Sequence, residues 1–303
     1  MNFDNIIGND SVKKELRKTV QNNLIGHSYI FQGTEGIGKE LFAECFAKEI
    51  LCGNLNGCDT CKSCIMLNSN NHPDFMVINQ DETALKIEEI REVIKKVIEK
   101  PIISKNKVYI INAADKMTRE AQNCLLKTLE EPPEYMTMIL IVSKENALLT
   151  TIKSRCTKIT FNKLSNDEIR RYIREKTEIP ENEINEQLIN IFDGSIKKAN
   201  KVLSNKELYF PIERLLENTK AKSKLEFYLD GKVIYNKDEI YDILEYIISV
   251  LYNLSLKDRD FLKGISIVQD TIRKLKANNN FDMSLDSMLF DIWEEVNENN
   301  SWS

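Results

Sequence analysis

The stretch Gly33-Thr34-Glu35-Gly36-Ile37-Gly38-Lys39-Glu40 has the spacing of a phosphate-binding loop, but it ends on a carboxylate where such loops carry a Ser or Thr hydroxyl. Gly33, Gly36 and Gly38 let backbone amides approach phosphate oxygens, a following helix would offer its positive end, and Lys39 can reach the outer phosphates. The missing atom is the one that holds Mg²⁺. Glu40 sets an anion beside a triphosphate, where it either crowds the ion or repels the phosphates. The other half of such a site is a strand ending in two acids, one for Mg²⁺ and one for the attacking water. Here the matching strand leads into Asn112 and Ala113. Ala113 cannot polarise water, whereas Asn112 could still accept a hydrogen bond. Asp115 is the alternative acid, well past the apolar run and expected in a loop.

Four cysteines form the second chemical cluster: Cys52, then Cys58, Cys61 and Cys64, with two overlapping C-x-x-C steps. Three thiolates on one tight turn and a fourth at the end of the preceding helix suit a tetrahedral zinc. Four thiolates leave no open position for water, so the metal would be structural. Cys45, Cys124 and Cys156 lie in apolar periodic surroundings and read as small core residues. His27 and His72 are isolated, which fits packing or surface positions better than a general base. Arg155, in the segment TIKSRC, is either a salt-bridging surface residue or a guanidinium offered outward to a phosphate this chain does not hold.

The elements that must position these groups follow from periodicity. A short apolar run at residues 27–31 leads into the glycine loop, and Leu41, Phe42, Phe46 and Ile50 continue as a helix. Further strands are predicted at 75–78, 107–111, 137–142 and 157–161, with helices at 87–100 and 118–131 between them. Strands alternating with helices imply a parallel sheet covered on both faces. After Phe161 the pattern turns helical, opening with Ser165 as an N-cap before an acidic first turn. The expected division is an α/β domain over 1–162 with the cysteine module inserted at 52–64, a helical lid over 163–205, and an all-helical domain over 206–303. In the last, Ile240, Ile243, Leu244, Tyr246, Ile247, Val250 and Leu251 would face a core or another subunit.

Composition narrows the setting. With 303 residues the chain has room for two or three domains. Its net charge of −5 gives no general attraction to a polyanion, so any nucleic-acid contact must be local or shared with partners. No apolar run approaches the roughly 18–20 residues of a membrane span. The first ten residues have no basic and apolar leader pattern, which points to a cytoplasmic location.

Taken together, FDNIIGN, GTEGIGKE, the four cysteines, LLKTLEEPPE and SRC resemble the bacterial DNA polymerase III clamp-loader subunits of the AAA+ superfamily. The resemblance runs in order through the first two domains. It implies a RecA-like AAA+ domain with an embedded zinc module, a three-helix lid, and a C-terminal helical collar that joins five subunits. Within that family, intact ATP-loop residues mark the gamma/tau motor and their loss marks the delta-prime branch, which this sequence is similar to. The resemblance further implies that Arg155 acts in trans as an arginine finger on the ATP of a gamma/tau neighbour. The implied partners are gamma/tau and delta subunits, the sliding clamp, and primed DNA reached through the complex. Lys197, in GSIKKANK, falls where the family has a basic nucleotide sensor, and Ser143 falls near its polar sensor. The substitutions lean against ATP or ADP occupying the loop and against Mg²⁺ there, while leaving occupancy open. Two rival readings remain: a gamma/tau-like ATPase in which Glu40 itself ligates Mg²⁺, and a zinc-containing DNA-binding module. The latter is weakened because Asp59, Thr60, Lys62 and Ser63, between the cysteines, supply neither an aromatic platform nor much basic charge.

Overall fold

The computed structural model describes residues 2–54, 57–79, 83–177, 179 and 184–298. The chain divides into two compact units, Met1–Thr177 with Gly194–Lys197, and Glu178–Asp193 with Lys198–Ser303. The first unit holds a five-stranded sheet of β1 (Ser28–Gln32), β2 (Phe75–Ile78), β3 (Lys107–Ile111), β4 (Met136–Val142) and β5 (Thr157–Thr160). Their order is β2-β3-β4-β1-β5, and every neighbouring pair is parallel. The helices are α1 (Asp10–Gln21), α2 (Lys39–Leu51), α3 (Lys62–Asn68), α4 (Ile87–Ile98), α5 (Arg119–Glu130), α6 (Thr150–Lys153) and α7 (Asn166–Lys176). The fold is α/β followed by all-α, with the parallel sheet confined to the first unit.

Strand β1 shows how the sheet is covered on both faces. Side chains alternate along a strand, so Ile30 joins one apolar cluster with Leu125, Leu140 and Ile152, whereas Tyr29 and Phe31 turn to the other face. There the Tyr29 and Phe46 rings meet edge-on at 5.2 Å, and Phe161 lies 5.1 Å from Phe31 and 5.0 Å from Phe42. Phe42 and Phe46 come from α2, whose successive apolar turns press it against the sheet. The helix starts are also encoded locally. Thr118 Oγ1 accepts from the Ala121 N–H at the start of α5, and Ser165 forms a reciprocal capping box with Glu168 at the start of α7. The strand expected at 27–31 is found one residue later, at Ser28–Gln32, with the His27 carbonyl still accepting from the Met138 N–H.

The second unit is helical. It comprises α8 (Glu186–Phe192), most of α9 (Ile196–Ser204), α10 (Lys206–Glu217), α11 (Lys224–Gly231), α12 (Ile240–Ser255), α13 (Leu262–Lys276) and α14 (Phe281–Glu298). The apolar face of α12 becomes a core: Ile243, Leu244, Ile247, Val250 and Leu251 are buried as the helix packs on α8, α10 and α13. Asp286 of α14 accepts from Tyr228 and Tyr235 hydroxyls and from Lys232 Nζ, tying α14 to α11 and the turn after it. Among the described residues, no helix is long and apolar enough to cross a membrane.

Candidate functional site

The glycine loop leaves the carboxyl end of β1 and closes onto the start of α2. Gly36 and Gly38 have φ of 78° and 91°, backbone conformations that favour glycine. Gly36 has a second constraint, since a Cβ there would lie 2.2 Å from Ser195 Oγ and 2.7 Å from Lys197 Cβ. The segment 194–197 therefore sits directly on the loop: the Lys197 N–H donates to the Gly36 carbonyl at 3.1 Å, and Lys197 Nζ pairs with Glu35 at 2.8 Å. That hydrogen bond and charge hold the Glu35 carboxyl below its ordinary range, although both side chains are exposed enough for the pair to add little stability. Lys39 is buried, and its ammonium donates to the Gly33 and Thr34 carbonyls, each at 2.7 Å.

At the other side of the loop, Glu40 Oε1 accepts from Asn112 Nδ2 at 2.6 Å. This contact joins the two positions where the loop and the strand depart from the phosphate-loop pattern, 72 residues apart in the chain. Asn112 is buried directly after β3, with its N–H on the Ile78 carbonyl and its own carbonyl accepting from Asn79 Nδ2. Its side chain thus serves as a donor, not as the acceptor expected from sequence. Ala113 follows at φ 46°, an uncommon conformation for a residue with a Cβ. Asp115 accepts from the Ser143 and Lys144 N–H groups at 3.4 and 3.2 Å, so its carboxylate is engaged with the turn after β4. A charge-assisted hydrogen bond in a partly buried setting is stronger than a neutral one, and here it engages one of the two Glu40 carboxylate oxygens.

Arg155 lies just before β5. Its backbone is pinned by the Ser28 hydroxyl, which donates to its carbonyl at 2.8 Å. The guanidinium is folded onto its own chain: Nη1 donates to the Thr151 carbonyl at 2.8 Å and to Ser154 Oγ at 3.3 Å, and Nη2 pairs with Glu130 Oε1 at 2.8 Å. The side chain is still 34% exposed.

The four predicted cysteines come together, all their Sγ atoms lying within 4.8 Å of one another. Tetrahedral zinc–thiolate geometry requires sulfurs about 3.8 Å apart, and Cys61 and Cys52 are already at 3.9 Å. Backbone N–H groups point at the sulfurs as they would at thiolates: Cys58 onto Cys52, Cys61 onto Cys58, and Cys64 onto Cys61. The Thr60 hydroxyl, followed by the N–H groups of Thr60 and Cys61, pulls the Cys58 thiol down to about 5. Burial pushes the Cys64 thiol up, and a bound cation would favour its thiolate form. The donor set fits a four-sulfur metal site.

Sequence reasoning missed what anchors this module. Buried Lys48, from the last turn of α2, binds Asp59 and donates to Asn68 Oδ1 at 3.0 Å, clamping the turn between the cysteines onto α3. Asp74 accepts three consecutive N–H groups, from Ile102, Ile103 and Ser104, at 2.7, 2.7 and 2.8 Å. Burial alone would raise its pKa, but the three donors outweigh it and hold the carboxyl below its ordinary value. His72 is a packed histidine: it accepts the Asp74 N–H at Nδ1, and its Nε2 lies 3.3 Å from Ser104 Oγ, which in turn reaches Ser63 of α3. Only the Cys-x-x-Cys steps advertised this region. Asp74 and its three donors lie about 30 residues apart with no local signature.

Comparison with known proteins adds three findings. A family described as DNA polymerase III, delta subunit, matches residues 8–165, just over half of the chain. The chain is 37% identical over 177 residues to a DNA polymerase III subunit gamma/tau of Mycoplasma pneumoniae, and 36% identical over 155 residues to a DNA polymerase III subunit delta' of Bacillus subtilis. These matches cover 57% and 50% of this chain but only 26% and 47% of those relatives. In fold, the chain is similar to a gamma subunit-related protein of Thermotoga maritima, with a TM-score of 0.53 and 20% identity across 93% of this chain and 99% of the other.

Proposed function

The chain belongs to the DNA polymerase III, delta subunit family, and on that premise we propose that it is a delta-prime-type clamp-loader subunit that does not hydrolyse ATP itself. In this reading it assembles with gamma/tau and delta subunits, lends Arg155 to the ATP of an adjacent gamma/tau subunit, and so helps load the sliding clamp onto primed DNA. Residues 163–205 would serve as the lid and 206–303 as the collar of the ring.

The observation that carries the proposal is the Glu40–Asn112 hydrogen bond. In a working site the loop hydroxyl and a strand-end acid hold Mg²⁺, and a second acid orients water. Here the first two positions bond to each other, which engages one Glu40 carboxylate oxygen and makes Asn112 a donor, and the third is Ala113, which cannot activate water. Lys39 turned onto the loop's own carbonyls, and the 194–197 segment seated on Gly36, support the loop as a piece of architecture. A guanidinium at the edge of the sheet supports the trans role, since an added cation at developing phosphate charge is worth about 10³–10⁵ in rate. Cys52, Cys58, Cys61 and Cys64 would hold a zinc that supplies only cross-linking.

The test is Arg155→Ala in a complex reconstituted with gamma/tau-type and delta-type subunits. Single-turnover hydrolysis at the adjoining ATP site should fall by roughly 10³-fold or more; an unchanged rate would overturn the trans role. A second reading, a gamma/tau-like motor, is favoured by the 37% identity to a gamma/tau subunit. It requires the Glu40 carboxylate itself to ligate Mg²⁺, and it predicts ATP turnover by the chain without partners.

A further inference from the structure

We propose that Glu130 is a positioning residue that parks the Arg155 guanidinium until a nucleotide faces it; the proposal rests on reading Arg155 as a finger for a neighbouring ATP. Both terminal nitrogens of Arg155 are engaged within the chain, Nη2 by Glu130 Oε1 and Nη1 by the Thr151 carbonyl and Ser154 Oγ. A guanidinium in that posture cannot present its two-pronged edge to a phosphate without giving up the Glu130 pair.

The parking place is built from helix ends. Glu130 is the last residue of α5, and Thr151 lies in the short helix α6 just before Arg155. A carboxylate at a helix C-terminus faces unsatisfied carbonyls and is unfavourable there unless a cation joins it. Arg155 is that cation. Its backbone is independently fixed to β1 through Ser28, so the choice between Glu130 and an outside phosphate is made by side-chain rotation alone. Glu130 is 47% exposed and Arg155 34%, which makes the pair weak enough to be released. A triphosphate, with several charges against one, outcompetes it. The pair then acts as a resting state that reduces the fraction of free finger and raises the ATP concentration needed for turnover.

The experiment measures turnover against ATP concentration in the reconstituted complex, for wild type, Glu130→Gln, Glu131→Gln, Arg155→Ala and the Glu130→Gln/Arg155→Ala double variant. Glu130→Gln should lower the half-saturating ATP concentration about 2- to 5-fold, with the maximal rate little changed. Exposed Glu131, the next residue, controls for loss of charge and should behave as wild type. The double variant should match Arg155→Ala, because parking has no meaning without the arginine. An unchanged or higher half-saturating concentration in Glu130→Gln, or the same gain in Glu131→Gln, overturns the parking role while Arg155→Ala remains defective. A normal Arg155→Ala complex overturns the finger reading itself.

Discussion

The glycine loop and the cysteine loop stand at opposite ends of the same helix, α2, and each gathers groups suited to surround an ion. At the N-terminal end, Glu40 is in the first turn, where the helix dipole favours an acid, and one of its carboxylate oxygens accepts from Asn112. At the C-terminal end, Cys52 and its three partners aim sulfurs at one point and receive N–H donors as thiolates do. The difference lies in who satisfies the ligands. The first site gathers side chains that bond to each other, whereas the second gathers four sulfurs whose donor set suits a bound cation. A carboxylate can be met by a neighbouring amide, as Glu40 is by Asn112, whereas four converging thiolates call for a cation.

The sharpest way to break this comparison is to remove the metal. Structural zinc binding to small modules is worth about 10–16 kcal/mol near neutral pH. A chelator, or Cys61→Ser, should therefore cost the purified chain its zinc and abolish amide-exchange protection across residues 57–72, while the glycine loop stays protected. Metal-free protein with unchanged exchange would show that the cysteines are not a metal site. A smaller effect should follow Asp74→Asn, which leaves the anchoring loop at 102–104 with one fewer charged acceptor. Hydrogen bonds to charged groups are worth about 1.5–3 kcal/mol each, so the unfolding free energy should drop by about 3 kcal/mol. Because the folded Asp74 carboxyl titrates below its unfolded value, its contribution is present above about pH 4 and is lost as pH falls through the folded pKa. Denaturant melts from pH 7 down to pH 3 should show wild type converging on the variant at the acid end; parallel curves would assign the anchoring elsewhere.

Much of the frame was legible in the residues. Each strand is a short apolar run, the glycine loop lies between a strand and a helical period, and the close spacing of Cys58, Cys61 and Cys64 dictates convergence. Strand order was not legible, because the placement of β1 between β4 and β5 depends on pairing between distant segments. The contacts that decide function were hidden for the same reason. Glu40 and Asn112 are each visible as departures from a pattern, but nothing local says that they bond to one another. Glu130 sits in a recognisable stretch, LLKTLEEPPE, yet its pairing with Arg155 arises only when α5 and the approach to β5 are brought side by side.

The central claim is that Glu40, Asn112 and Ala113 leave this chain unable to run its own ATP cleavage. Steady-state phosphate release by the purified chain alone, with saturating ATP and Mg²⁺, tests it most directly. The account predicts no release above the buffer rate. Sustained turnover that disappears in Lys39→Ala would contradict it.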